Sequence, residues 1–248
     1  MKTKKRQGHD TKERLLEAAC EVFSKKGYRA ATTADICKRA GANVAAVNYH
    51  FGNKQKLYVE TWRRAFGRSL EAHPADGGVS GEAPAEARLY GRILSIMQRL
   101  SDPENHEFEI MHKELANPTG LLGEVIRKSI EPQRQELRRI VGELIGERAK
   151  EEQVMLCQMS IRAQCFDMVF RRHRRKMLSK AGIKDGPCEV KPGIEGIAEH
   201  ITRFSLAGIA AIRRESEGGK DGERTRDIKK TGDDVKSSSR RSDGISIE

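Results

Sequence analysis

The chain has 248 residues, of which 37% are hydrophobic and 33% are charged, so it can form one large or two modest domains around an economical core. No apolar run approaches the roughly 18 residues of a membrane-spanning helix, and no hydrophobic signal segment follows the basic N-terminus. These features predict a soluble cytoplasmic protein with no membrane partner. Five scattered cysteines without a C-x-x-C pair argue against a disulfide framework or a zinc ribbon.

The net charge of +11 is concentrated near the N-terminus. Residues 1–64 contain 15 Lys and Arg against 6 Asp and Glu, whereas residues 215–248 contain 8 against 9. A basic surface on a small segment favours a polyanionic partner. Charge alone fits a merely soluble surface equally well.

Taken in chain order, the first predicted elements are a basic flexible arm over residues 1–9 and a helix behind it. This helix is expected to begin at a capping box on Asp10 or Thr11. Apolar residues then recur at helical spacing as far as Gly27, and glycine is well suited to end a helix.

Two short helices are predicted next. One begins at Thr32 or Thr33 and ends at Gly41, and the other runs for about two turns from an N-cap at Asn43 to His50. A helix, a tight glycine-containing turn and a second short helix form the pattern of a helix-turn-helix.

The second of these short helices buries little. Val47 and Phe51, four residues apart, can dock it on its neighbours, while its other side chains are left partly or wholly outward. A helix this short therefore serves to present a face. Residues 10–56 are predicted to form a helix-turn-helix DNA-binding domain.

The rest of the chain shows helical patterns without strand-like alternation, so the predicted fold is all-α. Residues 57–214 are expected to form a larger helical domain, with a loop or flexible connection over 72–85. The apolar helices over 154–170 and 194–212 are natural dimer surfaces, or alternatively the monomer's own core. The polar segment 215–248 is predicted to be disordered.

A family resemblance adds to this interpretation. The run "RLLEAACEVFSKKGYRAATTADICKRAGANVAAVNYHFGNKQKLY" resembles the DNA-binding domain of TetR/AcrR-type transcriptional repressors, and "HKELANPTGLLGEVIRKSIEPQRQELRRIVGELIG" is similar to the CecR (YbiH-like) branch. The resemblance implies a homodimer that binds a palindromic double-stranded DNA operator. It also implies that residues 57–214 are the effector-binding and dimerisation domain. A small-molecule effector that enters this domain would shift the helix from Lys54 to about His73 and so release the DNA.

The same resemblance suggests which residues contact DNA. Thr33 matches a phosphate clamp, although it could simply cap its own helix, and His50 could contact phosphate or cap the following helix. Many family members carry an aromatic residue where Asn48 stands, so that contact differs here. The predicted DNA-binding residues are Thr33, Asn43, Val44, Ala45, Ala46, Asn48, Tyr49, His50 and Lys54.

An effector pocket is the other expected site. Flexible and aromatic side chains in the middle helices suit a tolerant apolar cavity, and they are equally consistent with plain core. The predicted lining residues are Phe108, Met111, His112, Leu115, Met159, Arg162 and Phe166.

No cofactor and no metal ion are predicted. His106, Glu109 and His112 contain half of a di-iron motif, but the second half is missing. Two other classes of function stay open at this stage: a DNA-binding protein indifferent to sequence, and an all-α enzyme. No catalytic motif supports the enzyme.

Overall fold

The computed structural model describes residues 2–183 and 193–217. Within these two ranges the chain folds into nine α-helices and has no β-strand, which confirms the all-α prediction. The helices are α1 (Lys2–Ala30), α2 (Thr33–Ala40), α3 (Val44–Phe51), α4 (Lys54–Ala72), α5 (Ala85–Ser101), α6 (Glu107–Ala116), α7 (Gly123–Ile145), α8 (Glu151–Lys180) and α9 (Ile194–Ser216).

None of these nine described helices is both long enough and apolar enough to cross a bilayer. The predicted disorder of 215–248 falls, from residue 218 onward, outside the described residues.

Helix α1 is longer than the sequence predicts. Its helical backbone begins at Lys2, so the predicted start at Asp10 or Thr11 is wrong. The residues ahead of Asp10 include several lysines, an arginine and a glutamine, which are good helix formers, and the helix continues back through them. Near the other end, Gly27 has a positive φ of 72° and a non-helical backbone. The sequence predicts that the helix ends at this residue; it kinks there instead and continues to Ala30.

Side-chain caps set the limits of α2. The Oγ1 of Thr32 accepts a hydrogen bond from the Asp35 amide at 3.0 Å, and the Asp35 carboxylate accepts one from the Thr32 amide at 3.1 Å. Thr32 is therefore the N-cap, and Thr33 is the first helical residue. Gly41, with φ 60° and ψ 40°, ends α2 in the left-handed region.

Asparagine caps start the next two helices. The Oδ1 of Asn43 accepts a hydrogen bond from the Ala46 amide at 2.9 Å, which confirms the predicted cap of α3. The Oδ1 of Asn53 accepts one from the Lys56 amide at 2.9 Å and opens α4. Only Gly52 and Asn53 separate α3 from α4, so the orientation of α3 is tied closely to that of α4.

A first hydrophobic core is formed by helices α1, α2, α3 and α4 together with α6 and the start of α7. Tyr58 and Trp62 of α4 are fully buried in it, and the Tyr58 ring meets the Phe23 ring edge-on at 4.8 Å. Val47 and Phe51 are 1% and 6% exposed, so they dock α3 on this core as predicted.

A second hydrophobic core lies between α5, α7, α8 and α9. Its buried residues include Ile93 of α5, Val141 of α7, Ile161 of α8 and Ile201 of α9. The helices over 154–170 and 194–212 thus contribute to the core of the single chain, which was one of the two roles considered for them.

Two buried polar contacts hold α6, and the first of them also connects the two cores. The Nη2 of Arg99 in α5 donates to both carboxylate oxygens of Glu107 at 2.6 and 2.7 Å, and its Nε donates to the Ser69 hydroxyl of α4 at 2.8 Å. Further along α6, Glu114 accepts a hydrogen bond at 3.1 Å from the Tyr58 hydroxyl of α4. Burial raises the pKa of Tyr58, so the phenol stays protonated and can donate. Helix α6 is consequently fixed to α4 at both ends.

The loop between α4 and α5 packs tightly on α5. Gly77 and Gly91 face each other so closely that a Cβ on Gly77 would lie 2.3 Å from the Gly91 carbonyl oxygen, and a Cβ on Gly91 would lie 2.1 Å from that of Asp76. Hydrogen-bonded turns also order the loop, among them Gly77 N–H to Pro74 C=O at 2.9 Å. The segment predicted as a loop or flexible connection is therefore a loop seated against a helix.

Four cysteines behave as small apolar residues. Cys20, Cys37, Cys157 and Cys165 are buried and form no disulfide. Burial raises the pKa of Cys20 and Cys165 to about 12, so both remain protonated thiols at neutral pH. Cys188 lies outside the described residues.

The cap of α3 generates a stability prediction. Asn43→Ala removes the acceptor for the Ala46 amide and is expected to lower the free energy of unfolding by about 1 kcal/mol. Asn43→Ser retains an acceptor and should stay close to the parent. Chemical denaturation of both variants measures the difference, and equal destabilisation by serine and alanine would show that the cap is not the stabilising contact.

The glycine contact generates a second stability prediction. Gly91→Ala forces the loop away from α5 and is expected to destabilise the protein by about 1–3 kcal/mol through overpacking. Gly67→Ala is the matched control, because a Cβ on this other helical glycine meets nothing within 4 Å. The control should be neutral or stabilising, since alanine favours helix more than glycine. Thermal unfolding compares the two, and a neutral Gly91→Ala would contradict the close packing.

Candidate nucleic-acid interface

Helix α3 separates a docking side from a presenting side. Val47 and Phe51 are buried, whereas Val44 is 48% and Tyr49 is 85% exposed. Because the Tyr49 ring is so exposed, its contacts with the protein's own core contribute little to folding stability. The presenting side also carries the exposed Asn43, Ala45 and Asn48, while Ala46 and His50 are partly buried. Small apolar side chains with one amide among them permit close approach to base edges and thymine methyl groups.

The end of α3 gathers an aromatic and an imidazole. The rings of Tyr49 and His50 meet edge-on at 4.9 Å, and His50 continues to Phe51 at 6.2 Å. The alternative role of His50 as the cap of α4 is wrong, since Asn53 provides that cap. Both Tyr49 and His50 can donate hydrogen bonds to phosphate oxygens from this position.

Thr33 is the first residue of α2 and is partly buried. Thr32 caps the helix, so the alternative that Thr33 merely caps its own helix is wrong. No hydrogen bond of the Thr33 hydroxyl occurs in the described part of the chain. The hydroxyl and the first amides of α2 are therefore placed together at a helix N-terminus, where the helix dipole favours an anion.

Lys54 opens α4 in an unusual setting. Its Nζ lies 4.3 Å from the centroid of the Tyr28 ring, a cation–π contact, and burial lowers its pKa. A lysine at a helix N-terminus opposes the helix dipole. The ring of Tyr28 partly compensates the ammonium group and holds it in place.

The acidic residues of this region are all neutralised by basic partners. Each of the six between positions 10 and 60 lies in an ion pair, for example Lys26–Asp35 at 2.9 Å and Arg64–Glu13 at 2.6 Å. The lysine contact contributes most to holding the pKa of Asp35 down at about 2, ahead of the Thr32 bonds. The other four are Asp10 with Arg14, Glu17 with Arg68, Glu21 with Arg39 and Lys25, and Glu60 with Arg63.

Several lysines of the same region have no such partner. Among the described residues, no ion pair involves Lys12, Lys38, Lys54 or Lys56. Of these four, only Lys54 is predicted from the sequence to contact DNA. Lys12, Lys38 and Lys56 could be identified only by knowing which basic residues the six acidic residues pair with. Several of those ion pairs join different helices, so the spacing of residues in the sequence does not predict them. The result is a surface of positive potential around α3, suited to a polyanion.

The predicted effector-pocket residues do not all meet. Phe108 and Phe166 touch edge-on at 5.8 Å, and Arg162 lies over the Phe166 ring at 6.0 Å. Leu115 is 75% and Met159 is 56% exposed, so the structure does not gather these two with the others. Met111 and His112 are partly buried. The pocket as a whole stays a prediction.

Metal binding finds no geometric support in the same helices. Among the side chains that the structure describes, which include those of the "HEFEIMH" segment at 106–112, no group of three or more His, Cys, Asp or Glu is placed to hold an ion.

Comparison with known proteins covers both halves of the chain. Residues 15–61 match the family model of bacterial regulatory proteins of the TetR family, and residues 85–209 match that of the C-terminal domain of the HTH-type transcriptional dual regulator CecR. The first match covers the helix-turn-helix with its presenting surface. The second covers α5 to α8 and most of α9.

Individual proteins agree with these matches. The chain is 25% identical over 185 residues to CecR from Shigella flexneri, covering 71% of this chain and 82% of CecR. It is 33% identical over 108 residues to the regulator YvkB from Bacillus subtilis, covering 44% and 52%. A TetR-like transcriptional regulator from Rhodococcus sp. RHA1 has the same fold, with a TM-score of 0.59 at 14% identity over 81% of this chain and 96% of that one.

The two family models together span most of the described chain, and their order follows the order of the two hydrophobic cores. The proteins found similar here are described as transcriptional regulators. This chain belongs to the TetR family of DNA-binding transcriptional regulators and carries a CecR-type C-terminal domain.

Proposed function

We propose that this protein is a ligand-responsive repressor that binds a palindromic operator as a homodimer and leaves it when a small molecule binds. The observation that carries the DNA-binding part is the arrangement of α3. Its apolar side is buried, its Tyr49 is 85% exposed, and every acidic residue from 10 to 60 already has a basic partner. A negatively charged duplex can approach this surface without facing an uncompensated carboxylate.

The contacts follow from the geometry of the presenting side. Val44, Ala45 and Asn48 are proposed to meet base edges in the major groove, with Asn43 and Ala46 beside them. Thr33, Tyr49, His50 and Lys54 are proposed to bind phosphates on either side and so fix the register. With one polar reader in this set, part of the sequence preference must come from DNA shape.

A dimer is supported by an exposed apolar face on the two last helices. Met155, Leu156 and Met159 of α8 are 43%, 49% and 56% exposed, and Phe204 of α9 is 64% exposed. Exposed apolar groups on two helices that pack together support an interaction surface there. We propose that two copies pair through this face as a four-helix bundle, which places two reading helices against an inverted repeat.

The proposed functions are divided along the chain. We propose residues 10–56 as the DNA-binding unit, preceded by the basic residues 2–9 that form the start of α1, and residues 57–214 as the effector-binding and dimerisation unit. The protein is proposed to act in the cytoplasm, where the DNA is. The similar CecR is described as a dual regulator, so expression of the target should be measured for both directions of change.

Removal of phosphate-binding side chains provides the test of DNA binding. Bound fragments are selected from the host genome, and the best palindrome is titrated with the parent, Tyr49→Ala and Lys54→Ala. Each variant should bind about tenfold or more weakly. Lys54→Ala should also lower the slope of log affinity against log salt by about one for each phosphate that the lysine neutralises in the parent.

Lys128→Ala is the matched control for that titration, because Lys128 is exposed on α7 and pairs with Glu124. It should bind like the parent. Parent-like binding by both Tyr49→Ala and Lys54→Ala would refute the assigned contacts. Equal affinity for unrelated fragments at fixed salt would instead indicate a DNA-binding protein indifferent to sequence.

Charge placed on the apolar face tests the dimer. Phe204→Lys is expected to shift the protein from dimer to monomer and to weaken operator binding, because a lysine cannot be buried unpaired between two helices. Leu115→Lys is the control, since Leu115 is as exposed but lies on α6. Sedimentation velocity measures the mass of both. A dimeric Phe204→Lys variant would place the interface elsewhere.

A further inference from the structure

A cavity of about 340 Å³ lies between α5, α7 and the loop that joins α4 to α5. Its volume is at the lower end of the range for small-molecule sites. It does not include any of the residues predicted for the effector pocket. Its lining includes Asp76 and Val79 of the loop, Arg88 and Arg92 of α5, and Pro132, Glu136 and Ile140 of α7.

Arg92 brings a positive charge without an ion-pair partner to this cavity. Its Nη1 donates to two neutral oxygens, the Ala75 carbonyl at 3.0 Å and the Gln133 side chain at 2.8 Å. Within the described residues it has no ion pair and makes no other hydrogen bond. Burial lowers its pKa, which reflects the cost of holding a guanidinium away from water.

Arg88, one helical turn earlier, lines the same cavity. Its Nε donates to the Ala83 carbonyl at 2.8 Å and its Nη2 to Glu143 at 2.5 Å. Its side chain is 8% exposed, and its Nη1 is buried with no hydrogen-bond partner in the described structure. A buried donor without a partner costs free energy that an added acceptor would recover.

The acidic residues of the lining are already engaged. Glu136 accepts from Arg139 at 2.6 and 2.9 Å, and that contact lowers its pKa. Asp76 accepts from the Gly78 amide at 2.8 Å. These two carboxylates do not bind the cavity arginines directly, yet their charge disfavours a ligand with two negative charges such as phosphate. A single negative charge fits best.

Most of the remaining wall is apolar, and the loop part of it is packed closely on α5. Val79 packs on α5, where a Cβ on Gly91 would lie 2.8 Å from its Cγ2, and the glycine contact seats the whole loop. Pro132 and Ile140 line the α7 side. The loop begins at His73, which directly follows α4 as its C-cap. The Ser95 hydroxyl of α5 donates a hydrogen bond to the His73 carbonyl at 3.3 Å.

We propose that this cavity binds a small organic monocarboxylate. The carboxylate would be held by Arg92, with Arg88 as the second donor, and its apolar body would lie against Val79, Pro132 and Ile140. Arginine forks suit carboxylates because two N–H groups meet two oxygens. That this ligand acts as the effector rests on the proposed function. Its route to DNA would be the loop wall that starts at the end of α4.

Calorimetric titration of the full-length protein tests the site, with benzoate as the probe at fixed ionic strength. Benzoate should saturate one site per chain, while benzamide, its neutral counterpart, and inorganic phosphate should bind about tenfold or more weakly. Arg92→Gln should weaken benzoate by a similar factor, and Arg92→Lys should lie between, since it keeps the charge but loses the fork.

Arg162→Gln tests the competing location, the predicted effector pocket, in which Arg162 lies beside Phe166. Like Arg92, Arg162 is half-buried and has a pKa lowered by burial. It should bind benzoate like the parent. Circular dichroism and operator binding without benzoate establish that each variant is folded.

The outcomes separate the site from the proposed function. Absence of saturable benzoate binding, or loss of it in Arg162→Gln rather than Arg92→Gln, overturns the site while operator binding stands. Benzoate binding that depends on Arg92 but leaves operator affinity unchanged supports the site and refutes the ligand response through it. Binding that depends on Arg92 and also weakens the operator complex supports both.

Discussion

The structure depends on the burial of two carboxylates of α6 against the other helices. Glu107 and its partner Arg99 are 1% and 6% exposed, and Glu114 is 8% exposed beneath Tyr58. Replacing such a pair by apolar residues is often neutral, whereas removing one partner strands a charge at a cost of about 3–5 kcal/mol. The pair therefore contributes less to net stability than to position. Few placements of α6 relative to α4 and α5 satisfy both carboxylates at once.

This constraint connects the two cores through α4. Trp62 stacks on Phe66 at 5.2 Å, Arg99 lies over Phe66 at 5.2 Å and over Phe108 at 5.5 Å, and Phe108 reaches Phe166 of α8. A contiguous series of rings and one guanidinium thus runs from the core behind α3 to a helix of the proposed dimer face. Packed side chains of this kind move between discrete arrangements rather than deforming continuously. On the proposed function, a ligand acts by favouring one arrangement, and it needs a different affinity for each.

Local chemistry made much of the helix-turn-helix predictable. The Asn43 cap, the left-handed Gly41 and the docking pair Val47 and Phe51 each depend on residues within one or two turns, so spacing alone identifies them. Contacts between distant segments could not be predicted in this way. Tyr58 and Glu114 lie 56 positions apart on different helices, and their hydrogen bond exists only once the first core forms. In the sequence, Arg88 and Arg92 cannot be distinguished from surface charges. The cavity that they line forms only because the segment predicted as a loop or flexible connection packs on α5.

The weakness of direct readout makes this geometry consequential. Val44 and Ala45 offer only methyl contacts, and Asn48 is the one polar reader proposed on α3, so each reading helix alone would discriminate poorly between sequences. In the proposed dimer, selectivity would then come from the distance and angle between two such helices on one duplex. Helix α4 would contribute to that distance, because only Gly52 and Asn53 separate its first turn from α3 and its later turns are held by Tyr58–Glu114 and Ser69–Arg99. A small rotation of α4 would misplace both reading helices together, and an operator recognised mainly by spacing would be released without any change in the contact residues.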